Sequence, residues 1–440
     1  MIDMDKLISL CKRRGFVFPG SDIYGGLANS WDYGPLGAEL KKNVKDAWWD
    51  RFVRRRGDMV GVDAALIMNP KVWEATGHVA TFSDPLTECT NCHTRYRADQ
   101  IDLNAACAHC GAKGKFTAPA QFNLMLKTFL GAKEGAEAVA YFRPETAQAM
   151  FVDFKLIQET SRKRVPFGIA QVGKAFRNEI TPGNFIFRTR EFEQMEIEYF
   201  VKESEWEKHF EVWLTELKAW LDFCGVDPAH LHFHEIEEAD RAFYSKRTID
   251  IEYQYPFGLK ELYGLAYRGD YDLSCHQKAS GADLRFTDPE TNEKYLPHVI
   301  EPSLGVDRTV LVVMLEAYHE EEAPTAEAGE SATRVVMRFP KALAPYKVAV
   351  LPLSKKEELS APARKLAEQL RQKWAVDYDE TQSIGKRYRR QDEIGTPYCV
   401  TFDFDTLNDQ AVTVRDRDSM KQERVKLAEL EAYLDAQLKS

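Results

Sequence analysis

The sequence contains no apolar run of the roughly 18–20 residues that a membrane-spanning helix requires, and Met1–Arg14 has no apolar secretory segment before Lys12-Arg13-Arg14. A cytoplasmic protein that does not contact membrane is therefore expected. It also lacks a P-loop Gly-x4-Gly-Lys-Ser/Thr string, internal repeats and low-complexity tracts outside one acidic stretch. Excess positive charge is missing too: 59 Lys+Arg stand against 69 Asp+Glu, a net −10, so the whole chain cannot act as a non-specific polyanion binder. Residues 341–440 are nearly neutral at +1 while residues 1–340 carry −11, so any nucleic-acid contact must use local patches, most readily in the C-terminal quarter. Cysteine is sparse, with eight in 440 residues. That is too few for a disulfide scaffold, and the length suits two or three domains.

Four of the cysteines are not scattered. Cys89-x2-Cys92-x14-Cys107-x2-Cys110 has the spacing of a zinc ribbon, four soft thiolates placed for a closed tetrahedral structural site in an insertion at 86–116. His93 and His109 stand beside them as bystanders. The acidic stretch His319–Ser331 reads as a solvated linker loop over 319–332. Beyond it, apolar runs at Lys347–Pro352, Cys399–Asp403 and Ala411–Arg415 alternate with an amphipathic helix near Ala361–Lys373, which predicts a small α/β domain over 342–440. Upstream, residues 1–341 form one larger domain. It includes a helix from Gly34-Pro35 that carries Leu36, Leu40, Val44, Trp48, Trp49 and Phe52, and an amphipathic helix over Glu203–Cys224.

Three clusters suggest chemistry. Residues Ala175–Phe200 read as a hairpin: Arg177 and Glu179 share one face of the first arm, and Thr181-Pro-Gly-Asn184 is a turn in which Gly183 tolerates φ > 0. On the return arm Met195, Ile197 and Tyr199 oppose Arg190, Phe192, Gln194, Glu196 and Glu198. A surface ladder of salt bridges would look similar, but Phe192 among arginines suits a nucleotide base and its phosphates. In Val299–Arg308, Glu301 and Ser303 share a strand face, Gly305 permits close backbone approach, and Arg308 falls in the first turn of an apolar helix, where a cation is misplaced unless an anion sits there. Arg143-Pro-Glu-Thr-Ala-Gln148 places Glu145 where an extended segment meets a helix.

In this order the clusters resemble the class II aminoacyl-tRNA synthetases. Gly34-Pro-Leu-Gly37 with Trp48-Trp49 resembles motif 1, Phe176-Arg-Asn-Glu179 with Arg190-Glu-Phe192 motif 2, and Gly305-Val-Asp-Arg308 motif 3. Arg143–Gln148, Tyr271-Asp-Leu-Ser274, Val299-Ile-Glu-Pro-Ser303 and Ile384-Gly-Lys-Arg-Tyr-Arg-Arg-Gln391 are similar to strings of the homodimeric glycyl-tRNA synthetases. The His-x-Gly-His signature of class I is missing.

The resemblance implies an α/β fold whose α+β catalytic domain is an antiparallel sheet flanked by helices, followed by an anticodon-binding domain. It implies a glycine–tRNA ligase that uses ATP and Mg²⁺, with structural Zn²⁺, glycine tRNA as partner, and a homodimer formed through the Gly34–Phe52 helix region. Arg177 and Arg308 would be catalytic, holding the α- and γ-phosphates, and Arg188 or Arg190 would reach the outer phosphates. The rest of the ATP site would be Asn178, Glu179 at the adenine amino group, Phe187, Thr189, Glu191, Phe192 stacked on adenine, Glu261 near magnesium, Leu262, Gly305, Val306 and Asp307. Glycine would be held by Arg97, Glu145, Phe192, Glu193, Gln194, Met195, Glu196, Arg268, Glu301 and Ser303. In the tail, Lys386, Arg387, Arg389 and Arg390 would meet tRNA. Two other readings remain: a non-enzymatic synthetase-like paralogue, which would ordinarily lose the phosphate-binding arginines, or a class IIa synthetase for proline, threonine or histidine, which would need a roomier pocket.

Overall fold

The computed structural model describes residues 3–242, 244–324 and 331–439. Its centre is a seven-stranded sheet in the order Leu231–Glu235, Arg247–Tyr255, Gly258–Gly269, His298–Gly305, Glu191–Val201, Phe167–Phe176, Met59–Gly61. All neighbours are antiparallel except the last pair, which is parallel. Period-two alternation divides the side chains between the two faces. Met195, Ile197, Tyr199, Ile300 and Leu304 enter one large core with Leu40, Val44 and Trp48 of the helix Pro35–Trp49, Trp213 and Leu217 of the helix Trp206–Phe223, and the helix Val306–Ala317. Each such buried aliphatic or aromatic side chain contributes roughly 1.5–3 kcal/mol. The opposite face is apolar only at one end, where Phe167, Ile169, Phe200 and Val299 meet the helices Ala147–Val152, Phe154–Ser161 and Tyr271–Ser280. The rest of that face carries charge.

The hairpin differs from expectation in its first arm. The strand ends at Phe176, so Arg177 to Ile180 is a loop, anchored by the Arg177 N–H on the Arg190 carbonyl (2.9 Å) and the Asn178 N–H on the Leu124 carbonyl (2.8 Å). Gly183 does not adopt positive φ. The left-handed residues are Asn184 and Phe185, at φ 56° and 60°, and Gly183 and Arg188 close the loop by exchanging backbone bonds of 3.0 and 3.2 Å. The charged face of the return arm is also not a surface, because Gln194, Glu196 and Glu198 are buried.

The acidic linker is a second correction. Tyr318–Pro324 pairs antiparallel with Ser331–Met337, so these parts of 319–332 form a ribbon; residues 325–330 lie outside the described set. Its acids are neutralised locally: Glu321 accepts from Arg334 and Arg338 (both 2.6 Å), and Glu322 from Thr333 (3.0 Å). Beyond Phe339 the tail is a five-stranded sheet in the order Val376–Tyr378, Val348–Pro352, Tyr398–Phe402, Ala411–Asp416, Gln422–Lys426, with its first three strands parallel. The helix Glu357–Arg371 covers it. The apolar stripe of Pro35–Trp49 is buried within its own chain, leaving Glu39, Lys42 and Asp46 exposed on that helix. Among the described residues, no helix is long and apolar enough to cross a membrane.

Candidate active site

Backbone geometry places the first acid. Arg143 is buried and donates to the carbonyls of Lys174 (2.7 Å) and Ala64 (2.9 Å), lying over Gly173, where a Cβ would come within 2.2 Å of its guanidinium. Only glycine leaves that room. Arg143 in turn fixes Pro144 and Glu145. Arg177 then donates from Nε to the Pro144 carbonyl (3.0 Å), and its guanidinium lies between the Phe82 and Phe192 rings at 5.4 and 5.3 Å.

Three arginines line one cleft with Phe192, Glu179 and Glu261. Arg308 packs on Phe187 at 4.4 Å and donates to the carbonyls of Glu261 (2.8 Å) and Phe187 (3.4 Å), with Glu261 Oε2 3.2 Å away. Arg188 Nε lies 4.0 Å from Glu179 Oε2. Burial lowers the Arg188 pKa, and Arg308 and Arg97 add to this against the pull of Glu179. Such crowding of cations calls for an anion. Glu179 Oε2 is buried without a hydrogen-bond partner, an acceptor facing a cleft with a flat ring at Phe192. Glu261 sits low despite desolvation because Arg308 faces it.

The cleft continues into an acidic pocket bounded by Glu145, Gln194, Glu196, Glu301 and Ser303, with Gly264 and Ala266 on its sheet wall. Glu196 accepts from Thr146, from Ser303 (2.6 Å) and from Gln194 (3.3 Å). Glu145 accepts from Gln148 (3.0 Å) and lies 3.4 Å from His78. Burial would raise the Glu145 pKa, yet His78 and Arg268 hold it well below the usual carboxylate range. Arg268, 1% exposed, binds Asp272 through two nitrogens (2.7 and 2.8 Å) and Glu301 through a third (2.7 Å), under the Tyr244 ring at 3.8 Å. Burial raises the Glu301 pKa, Glu196 and Glu145 adding to this, while Arg268, 2.7 Å from its Oε1, favours the ionised form. More buried acid than base surrounds this space, so it suits a small cationic group.

Several expected residues have their main contacts away from the cleft. Met195 and Val306 point into the core; Leu262 belongs to that core and also borders the cleft, as do Glu193 and Asp307. Glu193 faces Lys41 and Lys45 (2.7 and 2.9 Å). Asp307 accepts from the Tyr33 hydroxyl (2.5 Å), Lys41 (2.8 Å) and the Glu193 N–H (2.8 Å), so the pair joins the helix Pro35–Trp49 to the sheet. Arg190, with Glu191 beside it, is on the outer rim near the Ala28 carbonyl (3.5 Å); Thr189 borders both spaces and Gly305 lines the cleft. Arg97 binds Asp84 (3.0 Å) and Asp99 (2.7 Å) and stands by Arg188 and Glu179, at the arginine cleft rather than the acidic pocket. In the tail, Arg387 is 2% exposed and donates to the carbonyls of Pro352, Thr381 (3.2 Å) and Gln382 (2.7 Å), so it is not an RNA-facing cation. Arg390 is bound to Asp379 and Gln382, which leaves Lys386 and Arg389 as the freer charges.

Residues not singled out from sequence complete the site: Tyr244 and Asp250 line the pocket, and His78, Gln148, Asp272 and His276 stand behind its acids, His276 Nε2 donating to Gln148 Oε1 (2.9 Å). Gln148 and Asp272 lay inside quoted strings. His78 stood alone with no pattern around it.

The four insertion cysteines come together. Cys89 and Cys110 Sγ are 3.7 Å apart, as are Cys92 and Cys107, and all four ligand atoms lie within 4.8 Å of one another. Sulfurs about 2.3 Å from a shared tetrahedral centre stand about 3.8 Å apart, so the cluster fits zinc. The Tyr96 hydroxyl is the main cause that pulls the Cys107 thiol down to about 6, toward the thiolate a metal needs.

Comparison with known proteins agrees with this geometry. Residues 133–318 match the tRNA synthetase class II core domain (G, H, P, S and T) and residues 347–437 the anticodon binding domain. The chain is 53% identical over 455 residues to glycine–tRNA ligase of Thermobifida fusca, and 54% over 455 residues to that of Streptomyces coelicolor, in each case across 99% of this chain and 98% of the relative. It is 51% identical over 462 residues to glycine–tRNA ligase of Geobacillus thermodenitrificans, across 99% of this chain and 97% of that one. A catalytic core, a tail domain and near full-length identity above one half all agree: the chain belongs to the glycine–tRNA ligase family of class II aminoacyl-tRNA synthetases.

Proposed function

We propose that the chain joins glycine to the 3′ end of its tRNA in two steps at this site. A buried pocket rich in carboxylates, opening onto a cleft of three arginines, is the observation that carries the reading. The ammonium of glycine enters among Glu145, Glu196 and Glu301, and Ser303 with Gln194 orders Glu196. Alanine or serine would bring a side chain against that filled wall, so selectivity comes from the absence of space. ATP lies with adenine against Phe192, its amino group at Glu179, and its phosphates between Arg177, Arg188 and Arg308.

No nucleophilic side chain is needed. The glycine carboxylate attacks the α-phosphorus, the bond to pyrophosphate breaks, and glycyl-adenylate forms. Arg177 meets charge that develops at the α-phosphate, and Arg188 and Arg308 hold the leaving pyrophosphate. Glu261, with Asp250 in the same pocket wall, supplies hard oxygen ligands suited to Mg²⁺, which would screen the phosphate charge. A hydroxyl of the terminal adenosine of tRNA then attacks the glycyl carbonyl and AMP leaves. The tail domain would meet the anticodon arm through Lys386 and Arg389. A homodimer is part of this reading, supported by Ile23, Tyr24 and Leu27, which are apolar and 68–90% exposed in the segment that precedes the Pro35–Trp49 helix.

Arg177→Ala tests the phosphate assignment. Glycine-dependent ATP–pyrophosphate exchange should fall by a factor on the order of 10² or more, the loss seen when one donor to a developing anion is removed. Exchange within a few-fold of the parent, in a folded variant, removes Arg177 from the α-phosphate.

A further inference from the structure

Glu198 has no role in the account so far, yet it is among the most constrained polar groups in the molecule. It is 0% exposed, and both of its carboxyl oxygens lack a hydrogen-bond partner. The register that sets Glu196 opposite Ser303 and Tyr199 opposite Ile300 brings Glu198 beside Glu301 on the adjacent strand. Carboxyl oxygens of Glu196, Glu198 and Glu301 lie within 4.8 Å of one another.

Two ionised carboxylates in that position, out of water, would repel strongly. Among the described residues, the arginine and the amide and hydroxyl donors packed around them are already engaged. Arg268, from Gly258–Gly269, binds Asp272 and Glu301; Thr146, Ser303 and Gln194 donate to Glu196; Gln148 donates to Glu145 and Asp272. Opposite Glu198 on the Phe167–Phe176 strand stands Ile169, which offers nothing polar. A carboxyl in such surroundings stays neutral by keeping its proton. Because Glu196 already has donors on both oxygens, the free acceptor in reach is Glu301.

We propose that Glu198 is a protonated positioning residue that donates its O–H to Glu301 and aims that carboxylate at the substrate ammonium. This rests on the glycine reading of the pocket. Burial, with Glu301 adding to it, raises the Glu198 pKa well above the ordinary range, in the same direction. Glu198 itself touches no substrate.

The test compares Glu198→Gln, Glu198→Met and Glu301→Gln, using pyrophosphate exchange and infrared spectra of the full chain. A wild-type minus Glu198→Gln difference spectrum at neutral pH should contain the carbonyl band of a protonated carboxylic acid, shifting in D₂O. Glu198→Gln keeps a neutral donor of the same shape, so the glycine KM should stay within about threefold. Glu198→Met loses the donor and should raise the glycine KM roughly tenfold to a hundredfold at nearly constant kcat and ATP KM, as for a lost bond to a charged group. No acid band, a Gln variant that fails to fold, or Gln and Met variants with equal KM overturns the proposal. If Glu301→Gln leaves the glycine KM unchanged, the pocket reading fails instead; the infrared band, which needs no substrate, still decides where the proton is.

Discussion

Arg188 and Arg190 are two residues apart, and the end of the hairpin loop sends them to different places. Arg188 enters the cleft with Arg177 and Arg308, whereas Arg190 turns to the rim near Ala28. Sequence alone could not separate them, because the loop from Arg177 to Arg190 abandons strand alternation, and with it the rule that fixes which way a side chain points. Arg188→Ala should therefore lower pyrophosphate exchange at least about tenfold through lost charge-assisted bonds to phosphate, and Arg190→Ala should stay within about threefold. Equal losses in the two variants would return Arg190 to the phosphates. Where alternation persists, residue-level reading works: Phe192, Gln194, Glu196, Glu301 and Ser303 all face the site. Met195 belongs to the other set and faces the core, as its parity in the strand requires. The burial of Glu198 was not legible, since a period of two distinguishes faces but does not say which face another element will cover.

Among elements, the cysteine knuckles were the most legible, because spacing alone dictates their chemistry. Their sulfurs approach as a tetrahedron demands, within strands Ser83–Glu88 and Arg95–Arg97 and their loops. One zinc per chain is expected by elemental analysis of protein purified without chelator. Chelation should raise hydrogen exchange in residues 86–116 before it affects the seven-stranded sheet. A zinc-free protein with unchanged exchange there would remove the metal from the account. The acidic ribbon and the basic helix Ile384–Ile394 were misread for one shared reason: a run of charge looks solvated until its partners are known. Arg334 of the ribbon is buried, binding Glu321 (2.6 Å) and Asp392 (2.8 Å), and Arg387 is buried on three carbonyls. Arg387→Ala should accordingly destabilise the tail by about 3 kcal/mol or more, since several carbonyls lose a charged donor. Lys386→Ala with Arg389→Ala should leave stability nearly unchanged and raise the KM for tRNA, with a flatter salt dependence of binding. Thermal melts and aminoacylation kinetics separate the two. Normal stability in Arg387→Ala would contradict the structural role.

At the scale of the whole molecule, two domains with different tasks are held by buried polar contacts rather than by a slack linker. Asp392 of the tail accepts from Arg334 and from Arg415 (2.8 and 3.2 Å), Arg417 donates to the Phe339 carbonyl (3.0 Å), and Glu393 accepts from Arg14 (2.5 Å). Such pairs weigh against free movement of the tail, because separating them would strand buried charge. The α/β character of the tail was legible from its strand runs. The joint was not, because its partners are 58 to 379 residues apart in sequence. Selection of glycine is the claim on which the rest depends, and it belongs to this scale, since the pocket draws on the 143–148 segment and four strands of the sheet, backed by the helix Tyr271–Ser280. ATP–pyrophosphate exchange measured across the twenty amino acids tests it most directly. The account predicts exchange with glycine and no comparable exchange with alanine or serine. Exchange supported equally well by alanine, or by proline, threonine or histidine in place of glycine, would contradict it.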